Sequence, residues 1–362
     1  MEKLTIIHTE WSDAWGGQEI RIITESLALK ERFNTQIIIA CKKGSKIGEN
    51  AIKNGLEVAY FDFKSSFDLK SIFALVKFIK TRKIDILNSH SGKDTWVGGL
   101  AAKIAGIKFI RTRHLSNKIN PSRLNFINSL ADFIITTGES VRLAMINENR
   151  INPNKILSIP TGIDDTIFNP DKYDKTSCKN EFAFDSDKIY VGILAVLRSF
   201  KRHDIFLKIA LKIHANFPNA VFIIAGEGPQ RTQIEAFIKS NNMYEYVKML
   251  GHINNTPQFL KAIDIFMMTS DSKEGVPQSL MQALLMQKPC IATNVGSVSD
   301  LYDKYNFSLV NFDENELEKA LVILLKSQEK REILSKNARK FVQNNFSKNI
   351  MSEKIYDIYQ RI

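Results

Sequence analysis

The chain has 362 residues, 44% hydrophobic and 25% charged, the profile of a soluble globular protein with two domains, each able to bury a core. Its formal charge of +11 admits anionic partners. Its lysines are scattered, though, and no RNA-binding signature or zinc-finger spacing occurs, which excludes nucleic acid as the expected partner. Cys41, Cys178 and Cys290 are far apart with no CxxC, so a disulfide framework and a cysteine zinc site are excluded and a reducing compartment is expected.

The chain opens with "MEKLTIIHTEW" and has no signal-peptide core. No run of eighteen or more apolar residues occurs. The expectation is a cytoplasmic protein, or one touching the cytosolic face of a membrane.

Short runs rich in Ile and Val alternate with amphipathic stretches. In the first half the predicted strands are "LTIIHT" (4–9), "TQIIIA" (35–40), "EVAYF" (57–61), "IDILNS" (84–89), "IKFIRT" (107–112) and "DFIITT" (132–137). Predicted helices cover 17–32, 67–82, 94–105 and 139–149. Continuous apolar strands alternating with helices mean a parallel sheet covered on both faces. The rhythm pauses at 160–180, a segment of Pro, Gly, Asp and Asn read as the linker. It resumes with strands "IYVGILAVL" (189–197), "AVFIIAG" (220–226), "VKMLG" (247–251), "DIFMMTS" (264–270) and "PCIATN" (289–294). Helices are predicted at 201–216, 230–241, 256–262, 277–287 and 314–326, and one terminal helix at about 328–360. The fold class is therefore α/β, with two doubly wound domains. Ligands bind such sheets outside the carboxyl ends of the strands, so the chemistry is sought there.

After the first strand, Gly16 and Gly17 lead into a helix whose amides offer an anion site; a strand-to-helix turn needs glycine in any case. The turn is not a GxGxxG, and no acidic residue in a ribose-binding position stands out, which counts against a nicotinamide cofactor. "NSHSGKD" (88–94) and "RTRHLS" (111–116) each end a strand with a histidine, so His90 and His114 fall at one sheet edge, with Arg111 and Arg113 beside them. "AVLRSFKRHD" (195–204) puts Arg198 and Lys201 at another strand end, where Arg binds an anion bidentately and Lys as a point charge. In "DSKEGVPQSLMQALLMQKPCIATNVGS" (271–297), Gly275 turns the chain before Pro277 and Glu274 stands at the mouth of a helix whose free amides favour anions. A diphosphate there would be neutralised by Arg198 and Lys201, and Glu274 would accept from sugar hydroxyls. Gln282, eight residues on, projects from nearly the same face.

The GG turn at 16–17, "IPTGIDDTIF" (159–168), "LRSFK" (197–201), "AGEGPQ" (225–230), "LGHINNTPQFLKAIDIF" (250–266) and "EGVPQSLMQAL" (274–284), taken in order and spacing, resemble the retaining nucleotide-sugar-dependent glycosyltransferases called group 1, or family four. The resemblance covers nearly the whole chain. It implies a GT-B fold of two facing Rossmann-like domains with an interdomain cleft: an acceptor-binding domain over 1–165, a nucleotide-sugar-binding domain over 166–345, and a closing helix, 346–362, packed back on the first. It further implies that Glu274 contacts the donor sugar, that the Ser279 and Leu280 amides meet the donor phosphates, and that Arg198 and Lys201 clamp the diphosphate. Gly16, Gly17 and Gly275 would lie against the donor, and His114 beside the donor sugar and the acceptor.

One position departs from the family pattern: Gln282 stands where a second glutamate usually binds ribose hydroxyls. Gln still accepts through its carbonyl oxygen but loses the charge-assisted part of that bond. The implied reaction moves a sugar from a nucleoside diphosphate sugar to a hydroxyl of a glycan or glycolipid with retention, in bacterial surface polysaccharide (lipopolysaccharide, capsule or lipid-linked oligosaccharide) synthesis. No cofactor and no metal are expected. A sugar-nucleotide epimerase of the same fold and a weakened sugar-nucleotide-binding subunit remain as alternatives. The stretches 70–83 and 111–123 are basic enough for peripheral contact with an anionic membrane.

Overall fold

The first strand shows why the sheets form. Ile6 packs with Ile37, Ile39 and Ile86, whereas its neighbour Ile7 packs with Ile38, Leu87 and Phe109. Successive strand residues point to opposite faces, so a strand that is apolar at consecutive positions must be covered on both sides.

The computed structural model describes residues 3–114, 119, 126–271 and 274–362. The chain divides into two units, one of Met1–Gly162 with Lys348–Ile362 and one of Ile163–Ser347. In the first unit the order is β1 (Leu4–Glu10), α1 (Gly17–Arg32), β2 (Thr35–Cys41), α2 (Lys46–Lys53), β3 (Glu57–Tyr60), α3 (Leu69–Arg82), β4 (Ile86–Ser89) and α4 (Lys93–Ala105). Then come β5 (Lys108–Arg113), α5 (Ile127–Leu130), β6 (Phe133–Thr136), α6 (Glu139–Asn147) and β7 (Ile156–Ser158). These strands form a parallel seven-stranded sheet in the order β3-β2-β1-β4-β5-β6-β7. Helices α3 to α6 supply apolar residues to one face, and α1 and α2 to the other.

The second unit runs α7 (Lys175–Glu181), β8 (Ile189–Leu194), α8 (His203–Ile213), β9 (Ala220–Ala225), α9 (Arg231–Ser240), β10 (Val247–Gly251) and α10 (Thr256–Ala262). It continues with β11 (Ile265–Met268), α11 (Gln278–Leu285), β12 (Cys290–Thr293), β13 (Ser308–Val310), α12 (Glu314–Lys326) and α13 (Gln328–Phe346). Its parallel six-stranded sheet has the order β10-β9-β8-β11-β12-β13. In each sheet the strand order reverses at one place, between β1 and β4 and between β8 and β11. A ligand crevice opens at such a switch point in doubly wound sheets.

Three expectations need correction. The terminal helix is two helices, α13 and α14 (Lys348–Arg361), separated at Ser347, which is extended and bridges to Ile163. Ala338, Val342 and Phe346 of α13 join the core of the second unit, while Met351, Ile355 and Ile358 of α14 join α1 in the first. Apolar spacing continues through the break because both helices are amphipathic; only the partner changes. The expected linker 160–180 is largely built into the second unit, with Ile163 buried and Cys178 of α7 in the core. Finally, α2, capped by Ser45, fills a stretch that shows little apolar character beyond Ile47, Ala51 and Ile52. No helix among the described residues is long and apolar enough to cross a membrane.

Candidate functional site

In the second unit the loop leaving β8 carries Arg198 to Arg202, and the β11 end holds it in place. Thr269 donates its hydroxyl to the Lys201 and Arg202 carbonyls, each at 3.0 Å, and the Asp271 amide donates to the Phe200 carbonyl at 2.8 Å. Arg202 turns the chain with a φ of 52°, in the left-handed region. Its guanidinium is drawn back onto Asp204 by bonds of 2.9 and 2.8 Å.

This anchoring brings Lys201 to Glu274. The Lys201 ammonium forms an ion pair with the Glu274 carboxylate, with only 15% and 7% of the two side chains exposed. Glu274 lies three residues before Pro277, the N-cap of α11. That cap offers no side-chain hydrogen bond, and proline has no amide to donate. The first amides of a helix have no intrahelical acceptor, so Ser279 and Leu280 present theirs at this end, while the Leu280 side chain anchors the turn in the core. The helix starts one residue later than predicted because Pro277 is extended.

The remaining second-unit candidates are placed less tightly. Gly275 and Gln282 are half-buried, Gln282 on the second turn of α11. Arg198 is exposed beside a cavity of about 470 Å³ also lined by His203, Gln230 and Asp271. Ser272 and Lys273 lie outside the described residues.

Glycines fix this geometry through close approach. Gly296, at a φ of +58°, lies so near the Glu274 carbonyl that a Cβ would stand 1.8 Å from its oxygen. Gly226, in the "AGEGPQ" turn, does the same to the Ala195 carbonyl at 1.9 Å. The first makes room for the Glu274 segment and the second for the Arg198–Lys201 loop.

In the first unit the candidate groups follow β1, β4 and β5. Gly16 is the extended N-cap of α1, and its amide donates to the Glu19 carboxylate at 2.9 Å. That amide is therefore already used by the Glu19 side chain at the third position of the helix, as in one half of a capping box. Gly17, the first helical residue, is exposed. The preceding loop hangs on Glu10, which the sequence reading passed over. Its carboxyl accepts from the Ser12 amide at 2.7 Å and from Ser91 Oγ at 2.8 Å, and also from the Gln18 side chain. Burial, and then the Asp94 charge, push the Glu10 carboxyl up to about 8. Burial likewise pushes Asp94 up to about 6, although it accepts from the His90 and Ser91 amides.

Beside this group stand three histidines in a row. His8 Nδ1 and His90 Nε2 lie 2.9 Å apart, and His90 Nδ1 and His114 Nε2 also 2.9 Å. His8 and His90 are buried and His114 is half-buried. Burial holds His8 down at about 3 and lowers His90 well below the usual imidazole value. His114 is lowered by burial and then by Arg21, Arg113 and Arg111. All three are neutral near pH 7. The sequence placed His90 and His114 at one edge, but His8, inside an apolar strand run, gave no signal of its own. Residues 115–118 and 120–123 of the basic stretch 111–123 lie outside the described residues.

Comparison with known proteins follows the same division. Residues 15–166 match the family model Glycosyltransferase Family 4, and residues 174–341 match Glycosyl transferases group 1. An Escherichia coli protein named UDP-Gal:alpha-D-GlcNAc-diphosphoundecaprenol alpha-1,3-galactosyltransferase is 27% identical over 81% of this chain and 79% of its own length. The Saccharomyces cerevisiae phosphatidylinositol N-acetylglucosaminyltransferase GPI3 subunit is 25% identical over 79% of this chain and 66% of its own. Among solved structures, a Rickettsia africae glycosyltransferase superposes with a TM-score of 0.89 at 19% identity, over 99% of this chain and 98% of that one. Anabaena HepE in complex with UDP superposes with a TM-score of 0.86 at 17% identity, over 99% of this chain and 100% of that one.

Two measurements probe the site. Lys201→Met leaves the Glu274 carboxylate buried without a partner and is expected to cost about 3 kcal/mol of stability or more. The double variant Lys201→Met with Glu274→Gln removes both charges and should recover most of that loss in urea denaturation. With Glu274→Gln alone as the fourth corner of the cycle, losses that simply add in the double variant would show that the pair is not coupled.

For Glu10, the folded state keeps a proton that the unfolded chain gives up above about pH 4.5, so this group subtracts stability as pH rises towards about 8. The histidines are held below their usual values, and their opposing effect is complete near pH 7. Lys288, whose ammonium burial holds down at about 7, gains stability over the same range, so the expected outcome is a difference: relative to Glu10→Gln, wild type should lose stability between about pH 7 and 8. An equal slope in both proteins would refute the assignment.

Proposed function

The chain belongs to the group 1 glycosyltransferases of the GT-B fold, and from that membership we propose that it transfers a sugar from a nucleoside diphosphate sugar to a hydroxyl of a glycan or lipid-linked acceptor, with retention of anomeric configuration. The observation that carries this reading is the meeting of Lys201 and Glu274 before the open amides of α11. Cation, carboxylate and helix N-terminus are the groups that a sugar diphosphate requires.

In this proposal the donor binds the second unit. Departure of the diphosphate builds negative charge, which Lys201, Arg198 and the Ser279 and Leu280 amides stabilise at fixed positions. Glu274 accepts from the donor sugar's hydroxyls and keeps the Lys201 ammonium oriented. Gln282 accepts from the ribose more weakly than a carboxylate would. The first unit takes the acceptor, with His114 at the end of β5. The E. coli relative's name specifies a diphosphoundecaprenol acceptor and the yeast relative's name a phosphatidylinositol one, which supports an acceptor of lipid-linked type. Bacterial surface polysaccharide is the setting proposed for it.

Such an acceptor brings the protein to a membrane surface. On α3 and just before it, Phe67, Leu69 and Phe73 are exposed, among the exposed Lys70, Lys77 and Lys80. The opposite face, Ile72, Leu75, Val76 and Ile79, is packed in the core. Apolar side chains flanked by lysines suit shallow insertion among anionic headgroups.

The donor reading is tested with UDP-, GDP-, ADP- and CMP-sugars, by thermal shift and by slow hydrolysis, on wild type and Glu274→Ala. One donor should raise the melting temperature of wild type, with cleavage lost in the variant. Stabilisation by none of the four would overturn it. For the surface, Phe67→Ser with Phe73→Ser should abolish sedimentation with phosphatidylglycerol vesicles and leave binding of the soluble donor intact. Sedimentation unchanged by the double substitution would remove α3 from the proposal.

A further inference from the structure

The three histidines form a chain in which each proton position depends on the others. A neutral imidazole carries one N–H and one bare nitrogen. The contacts His8 Nδ1 to His90 Nε2 and His90 Nδ1 to His114 Nε2 each need one donor and one acceptor. Only two arrangements satisfy both. In one, His8 Nδ1–H donates to His90 and His90 Nδ1–H donates to His114, which leaves His114 with its proton on Nδ1. In the other, His114 Nε2–H donates to His90 and His90 Nε2–H donates to His8, which leaves a proton on His8 Nε2.

The buried end decides between them. His8 is fully buried, and its Nε2 has no hydrogen-bond partner among the described residues. A buried N–H without an acceptor is rarer and costlier than a bare acceptor atom. The second arrangement strands an N–H there, whereas the first strands only a lone pair. Cations keep the row neutral: Arg21, Arg111 and Arg113 all oppose a second N–H on His114, and Arg21 opposes one on His90.

We infer that His90, whose own tautomer is fixed by the buried end of the row, is a positioning residue that sets the tautomer of His114, so that His114 presents Nδ1–H as a hydrogen-bond donor at the carboxyl end of β5. This rests on the transferase reading for the identity of the partner, which is an oxygen of the acceptor. It also assigns what His114 does not do. To take a proton from the acceptor hydroxyl, Nδ1 would have to be bare, and that requires its own proton to leave, both shared protons to shift one ring towards His114, and a proton from outside the row to be placed on the buried His8 Nε2. His114 therefore orients an oxygen and is not the base of the reaction.

The chain holds six histidines, so protein labelled with 15N only in histidine can be read by long-range proton–nitrogen correlation, with each signal assigned by single substitution. His114 is expected in the Nδ1–H form at pH 7. The Nε2–H form would overturn the inference. In His90→Ala the vacated space admits water, which can donate to or accept from His114 Nε2, so the His114 signal should move to the mixed tautomer average of a free imidazole. His8→Phe should leave it in the Nδ1–H form, because His90 Nε2 then becomes the bare buried end. A His114 signal unmoved by His90→Ala would overturn the chain as its cause. The kinetic counterpart in His90→Ala is a kcat about tenfold lower with donor KM little changed, the loss of one well-placed hydrogen bond in the transition state. Should the protein turn over no sugar nucleotide at all, the tautomer readings still stand or fall by themselves, which separates this inference from the transferase reading.

Discussion

Both sheets are covered by helices on both faces, and that constraint governs where this protein can hold polar groups. Within β1 or β11, a side chain on either face meets a neighbouring helix, so the run must be apolar until the strand approaches its end. Charged and hydrogen-bonding residues gather where the strands stop: Glu10 after His8 and Thr9, Asp94 beyond β4, His114 after β5, Lys201 beyond β8 and Glu274 beyond β11. Buried there, such groups persist only when they satisfy one another. The Lys201–Glu274 pair, the bonds around Glu10 and Asp94, and the row of histidines are three solutions to that one requirement.

A fourth solution lies inside the first unit. Arg21 and Glu25 are fully buried on α1, with Arg21 donating to the Ile159 carbonyl at 2.7 Å. Glu25 faces the Tyr359 hydroxyl of α14, Asn88 of β4 donates to that hydroxyl at 3.0 Å, and Thr112 of β5 donates to Asn88 at 2.9 Å. A polar line thus runs from α1 through the terminal helix to two strands just below the histidine row. Tyr359 ties the last turn of the chain to the strands whose ends carry His90 and His114. Substitutions in α14 are therefore not remote from the site, although they touch none of its candidate residues.

The parts of the site legible in the sequence were those with local meaning. Glycine and proline around 275–277, and basic residues between a strand and a helix at 198–201, mark a loop at a strand end whatever the rest of the chain does. Lys201 and Glu274 were read as members of one site, and the structure pairs them directly. His8, Glu10 and Asp94 were not read. His8 is one polar residue in an apolar strand, Glu10 looks like an exposed residue leaving it, and Asp94 looks like a first-turn acid of α4. His8 and Glu10 meet partners about 80 positions away, as in the His8–His90 and Glu10–Ser91 contacts, whereas Asp94 accepts from the nearby His90 and Ser91 amides and owes its raised pKa to burial. The Gly16 amide illustrates the converse: its glycine suggested a ligand site, but Glu19, three residues on, takes that amide.

By itself the sequence determined the α/β class, the two-unit rhythm and the strand-end positions of most candidates, because periodicity of two or of 3.6 residues is a local property of the chain. The amphipathic pattern of the last two helices does not say which unit each joins; the family resemblance implied that 346–362 returns to the first, and the tertiary structure puts α13 in the core of the second unit and α14 in that of the first. It likewise decided the partners of Glu10, His8 and Lys201. A side chain's protonation and orientation depend on the groups packed against it, and those come from distant segments that no spacing rule connects.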